Sequence, residues 1–217
     1  MNVARCVLFV LLPFSSTVTA GVEVQTRAAL DLAVRSEWPS GGSGTQGALY
    51  AGFDGHAVLS RNRGDFGTAL VQLYVTKISN FSSPPRAFDH ANDTEVIFRN
   101  LYFNWTGRSR RTNVRLGHFE VPYGLEQIEN TNGTLRQLMH TSNFGMKGDW
   151  GIALNGESSH LEYDLAWTRG TGNTWFGGVE FGLVAASVGS RRDASFVLGL
   201  SGLTGAVQTD AGPIDWH

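Results

Sequence analysis

Cysteine is nearly missing from this sequence. The 217 residues hold one, Cys6, and it lies in an N-terminal apolar stretch that reads as removable. A mature chain without a thiol has no disulfide scaffold and no thiolate metal site, which excludes the small disulfide-built secreted modules. An excess of either charge is missing too. Lys and Arg number 17 against 19 Asp and Glu, so a nucleic-acid-binding face or a polybasic membrane-surface segment is not in prospect. No apolar run reaches the ~20 residues that a spanning helix needs.

Catalytic and ligand signatures are also scarce. There is no G-x-S-x-G elbow. His56, His90, His118, His140, His160 and His217 show no spacing that suits a metal, so no metal site is expected. Residues 42–47, GSGTQG, match G-x-G-x-x-G, but a strand pattern follows where a phosphate-binding turn requires a helix N-terminus. Glu126, Glu129 and Arg136 lack the tuned environment of an acid–base pair. The chain therefore reads as a non-enzyme, with no catalytic residue and no cofactor.

What is present begins with an export signal. Residues 1–20 carry one early positive charge, Arg5, then the apolar run CVLFVLLPF, then Val18-Thr19-Ala20 where a signal peptidase reads small residues. The mature domain is expected to span 21–217.

From Val22 to Val34, Val22, Val24, Thr26, Ala28, Leu30, Leu32 and Val34 alternate with Glu23, Gln25, Arg27, Ala29, Asp31, Ala33 and Arg35. A period of two puts these sets on opposite faces of a strand, one apolar and one ionic. A bilayer-crossing strand needs ~9–11 residues with this two-sidedness; a soluble sandwich strand shares it. The pattern recurs at Ala48–Ser60, Gly67–Lys77, Val96–Trp105, Asn113–Val121, Asp149–Asn155, Ser159–Thr168, Val179–Ser187 and Ala194–Leu203. That amounts to about nine strands.

The linkers carry an independent regularity. Those at 36–47, 79–93, 122–148 and 169–178 are long or intermediate, while those at 61–66, 106–112, 156–158 and 189–193 are short, and the two kinds alternate. Outer-membrane barrels join strands by short periplasmic turns and long outer loops, which a Greek-key sandwich has no reason to imitate. Aromatics such as Tyr50, Tyr102, Phe103, Trp105, Tyr163 and Trp167 lie within strands or near their ends, where interfacial girdles form.

The predicted fold is thus all-β, a transmembrane antiparallel up-and-down β-barrel. Its inward residues include Arg27, Asp31, Arg35, Asp54, His56, Tyr74, Arg115, Glu162 and Asp164, expected to line a pore. The linker after the fifth strand, with Glu126, Glu129 and Arg136, is expected to fold inward and constrict it. An odd strand count and a C-terminal TDAGPIDWH that does not alternate point to a barrel present only in part, or to one that closes only by oligomerising.

RNLYFNW, a charged turn and VRLGHFEVPYGLEQ together resemble bacterial outer-membrane porins of the phosphate-selective porin O and porin P type. Arg99, Leu101, Tyr102, Gly117, Phe119, Pro122, Tyr123, Leu125 and Glu126 carry the resemblance, with departures at Leu101 and Tyr123. It implies a bacterial outer-membrane channel, homotrimeric when full length, in contact with membrane lipid and passing small hydrophilic solutes, often anions. Selection of phosphate requires a lumen dominated by positive charge. Here Arg27, Arg35 and Arg115 are mixed with Glu23, Asp31, Asp54, Glu162, Asp164 and Glu180, which does not favour phosphate. The alternatives are a secreted β-sandwich binding module and a non-conducting outer-membrane anchor or adhesin.

Overall fold

The computed structural model describes residues 2–19, 21–38, 46–61, 64–79, 94–107, 111–123, 148–172, 182–190, 198–209 and 212–216. They form one antiparallel sheet whose strands lie side by side in chain order, from β1 to β11. The strands are β1 (Asn2–Thr19), β2 (Val22–Trp38), β3 (Gln46–Arg61), β4 (Gly64–Ser79), β5 (Thr94–Thr106), β6 (Thr112–Glu120), β7 (Gly148–Glu157), β8 (Leu161–Thr168), β9 (Leu183–Ser190), β10 (Gly199–Thr209) and β11 (Gly212–Trp216). The nine strands predicted from alternation are β2–β10. Among the described residues β1 and β11 are the two edges, and the sheet is not closed.

Two strands lie beyond those expected. Asn2–Thr19, read from sequence as a signal peptide, extends in the full chain and pairs with β2 from Asn2↔Trp38 to Thr19↔Val22. A run rich in Val, Leu and Phe readily adopts the extended form, and an open strand edge accepts it. Gly212–Trp216 falls in the C-terminal stretch judged non-alternating. It is a strand nonetheless, because it pairs with β10 from Thr209↔Gly212 to Gly205↔Trp216. Pro213 opposes Gln208 there, and a residue without an N–H is tolerated at a sheet edge.

Boundaries shift for similar reasons. β8 starts at Leu161 rather than Ser159, since the Ser158 amide donates to Leu161 O at 2.7 Å and Ser158 Oγ accepts from the Leu161 amide at 3.2 Å. Residues 159–160 thereby become the turn. The same device closes the next connection at this end: the Ser190 amide donates to Leu198 O at 2.7 Å, and Ser190 Oγ accepts from the Leu198 amide at 2.9 Å. β10 runs on to Thr209, past the expected Leu203, because β11 extends its ladder. The expected start of β9 at Val179 lies outside the described residues, as does that of β10 at Ala194.

Register converts alternation into rows that cross the sheet. On one face Phe103, Leu116, Ile152, Trp167 and Val184 are successive partners, and so are Trp105, Val114, Leu154, Leu165 and Ala186. A third row joins Leu30, Phe53 and Leu73. This face is open: Leu116 is 63% exposed, Leu165 50% and Trp167 55%. The other face is covered on β6–β10, where Phe119, Ala153, Ala166, Leu183, Ala185 and Val207 are buried. The sheet therefore curls with its apolar side outward and its small and polar side inward.

Candidate functional site

The inward face is the candidate site, and its polar residues are aligned by the ladder. Thr106, Asn113, Asn155, Asp164, Ser187 and Ser201 are successive partners on β5–β10. Beside them run Asn104, Arg115, Ala153, Ala166, Ala185 and Leu203. Side chains two residues apart on one strand share a face, so these rows lie next to each other.

Three polar groupings result. Gln72 Nε2 donates to Asp54 Oδ2 at 3.0 Å, and Asn100 Nδ2 donates to Gln72 Oε1 at 2.6 Å, giving a relay across β3, β4 and β5. Asn113 donates to Asn155 at 3.2 Å, and Asn155 donates to Asn104 at 3.4 Å. Arg115 Nη1 donates to Asp164 Oδ2 at 3.4 Å, and the guanidinium carbon stands 5.1 Å from the Tyr102 ring centre and 5.4 Å from that of Phe119. Alanines at 153 and 166 leave room for Phe119, which packs on both, with Tyr102 against the cluster.

Arg115 and Asp164 are each about one-fifth exposed, so their attraction is only partly screened. Asp164→Ala leaves the cation with two ring faces and no carboxylate, and is expected to lower stability by about 1 kcal/mol. Combining it with Arg115→Met is expected to cost less than the sum of the two single changes. Urea unfolding in detergent micelles, read as a double-mutant cycle, checks this; additivity would mean that the two groups do not interact.

The predicted lining residues fall as follows. Arg27 opposes His56, and Ala29 opposes Asp54, which places these inward positions in shared rows. Arg27 is exposed, whereas Asp54 and His56 are half-buried. Asp31 and Arg35 sit opposite Gly52 and Ala48 in the ladder. Tyr74 is fully buried, Glu162 is half-buried opposite Glu157, and Arg115 and Asp164 meet each other. Glu126, Glu129 and Arg136, the expected constriction, lie outside the described residues, as does Glu180.

Alternation along β5 and β6 also puts Asn100, Tyr102, Asn104 and Phe119 on the inward face, but the sequence drew attention mainly to charges as lining residues. It passed over Asp149. This buried carboxylate accepts from the main-chain amides of Trp150, Gly170, Thr171 and Gly172, with Thr171 Oγ1 at 3.4 Å. The segment so held packs further on its neighbours, the Arg169 amide donating to Trp150 O at 2.9 Å and the Gln208 amide to Gly170 O at 2.7 Å. The only local signal is an Asp at the start of a strand and a Gly-Thr-Gly about twenty residues on, too common a combination to single out.

The fold defines an all-β meander with an apolar outer face and a mixed polar inner one. Comparison with protein-family models, with curated proteins and with solved structures finds no match.

Proposed function

We propose that this chain is a membrane β-barrel of the bacterial outer membrane. More particularly, it acts as a porin, a passive channel for small hydrophilic solutes. The observation that carries the reading is the exposed lateral row Phe103, Leu116, Ile152, Trp167 and Val184, continued by Trp105, Leu154 and Leu165. Water does not tolerate contiguous apolar rows of this extent, and lipid does. A sandwich would bury this face and expose the other, whereas here Ala153, Ala166 and Ala185 are the buried ones.

On this reading Asn2–Thr19 is the export signal. Its removal leaves β2 an edge, and closing the sheet into a barrel satisfies the main-chain groups that lipid cannot. The strand ends at Arg61 and Gly64, and at Glu157 and Leu161, then lie on the periplasmic side, and the opposite ends of these strands on the outer side. The mixed inner charges Glu23, Arg27, Asp54 and Asp164 support weak charge selectivity rather than a phosphate filter.

A substitution on the outer face separates the readings. Leu165→Lys is expected to destabilise the protein by about 2–4 kcal/mol if Leu165 lies near the bilayer midplane, and to reduce its heat-modifiable folded fraction in liposomes. In a soluble protein an exposed Leu165 exchanged for Lys costs at most about 0.5 kcal/mol. A monodisperse detergent-free monomer unaffected by this change would sink the membrane reading. Ohmic steps from the wild-type protein in planar bilayers would support the channel, and their absence from protein that has inserted would favour an anchor.

A further inference from the structure

We infer, on the basis of the porin reading, that solute passes along the wall made by β2 and β3 and that the wall made by β6–β10 is sealed. The two parts of the inward face differ in kind. On β6–β10 the inward side chains close over one another. Phe119 is 0% exposed and packs on Ala153 and Ala166, while Leu183, Ala185 and Val207 form a second buried cluster with Val121, against which Leu203 packs. Part of the polarity there is engaged internally, Arg115 with Asp164 and two aromatic rings, Asn155 with Asn113 and Asn104.

On β2 the same face is open. Glu23, Gln25 and Arg27 follow at intervals of two and are all exposed. Opposite them on β3 stand Ser60, Val58 and His56, each half-buried. The relay of Asp54, Gln72 and Asn100, the last two buried, marks where the open surface passes into the sealed one. Water and a hydrated solute follow exposed polar groups, and a wall on which methyl groups and rings bury one another offers them few. Glu23 and Arg27 bring opposite charges to one path within a single strand. The solutes that suit it are small neutral or zwitterionic ones, for which neither sign is repelled at every step.

Thiol accessibility in the working channel tests this. With Cys6→Ser as background, Gln25→Cys, Arg27→Cys, Ala166→Cys and Ala185→Cys are introduced singly into the full chain and reconstituted in planar bilayers. A water-soluble methanethiosulfonate reagent is then added, and heat-modifiable migration verifies folding of each variant. The expected result is that current through Gln25→Cys and Arg27→Cys falls by about half, since a bulky adduct narrows the path. Current through Ala166→Cys and Ala185→Cys is unchanged, and mass spectrometry of both finds the thiol unmodified. Reaction and block at 166 or 185, or no response at 25 and 27, overturns the inference and leaves the porin standing. A background channel that inserts and carries no current overturns the porin reading itself.

Discussion

Replacing Asp149 by alanine is expected to lower stability by about 3–5 kcal/mol and to free the connection that follows β8, the largest single effect in the described structure. The carboxylate is fully buried and accepts from the amides of Trp150 at 2.9 Å, Thr171 at 3.1 Å and Gly172 at 3.0 Å, as well as from Gly170. Gly170 and Gly172 adopt positive φ, 73° and 60°, which turns successive amides toward one point and makes a concave anion-holding nest. A hydrogen bond to a charged group contributes roughly 1.5–3 kcal/mol, and the four are not additive because they share one acceptor group and one segment. Asp149→Asn is not conservative here. One oxygen becomes an NH2 group, and either amide orientation points it at a donor, at Gly170 on one side or at Trp150, Thr171 and Gly172 on the other.

Two measurements follow the loss. Urea unfolding in micelles should show a lower midpoint for Asp149→Ala, with Asp149→Asn closer to Ala than to the parent. Limited proteolysis of liposome-inserted protein should cut within 169–182 several times faster, because Gly170, Thr171 and Gly172 lose the carboxylate that holds their amides. Unchanged midpoints and cleavage rates would show that the nest does not hold the segment.

Gly117→Ala is expected to be the second most damaging change, at about 3 kcal/mol or more. Gly117 sits at φ 134°, and a Cβ there would lie 2.2 Å from the Leu101 carbonyl oxygen and 2.8 Å from the Tyr102 Cα. Neither neighbour is the movable end of a side chain, so the β5–β6 ladder itself must shift. Its partner in the next ladder, Gly151, is under the same constraint, with a Cβ falling 2.3 Å from the Trp167 oxygen. Facing glycines of this kind let neighbouring main chains close up and bend the sheet toward its inner side.

The control is Gly202→Ala, since a Cβ there meets nothing within 4 Å and the residue is exposed. That change is expected to be neutral or to stabilise by at most about 1 kcal/mol, through the less flexible unfolded chain. A comparable drop in folded yield for both glycines would show that the effect of Gly117 is general to glycine loss and owes nothing to the approach of Leu101.

Local pattern alone determined much about this protein. Alternation with period two is a property of the extended chain itself, so the sequence of Val22 to Val34, of Asp149 to Asn155 and of Leu161 to Thr168 already states which residues share a face. The long and short linkers state that neighbours in sequence are neighbours in the sheet, and β2–β10 follow that order. Everything that depends on partners distant in sequence was decided by the tertiary structure. β11 is a strand because β10 pairs with it, not because it alternates. Arg115 was legible as inward, but its engagement with Asp164, Tyr102 and Phe119 depends on three strands meeting in one register. The inward face is sealed on β6–β10 and open on β2, although the alternation of the two parts is similar, because alanine and glycine at facing positions let rings settle and main chains close. Asp149 had no local mark at all: its four amide donors include three from a segment about twenty residues away, and only the folded sheet brings them to one carboxylate.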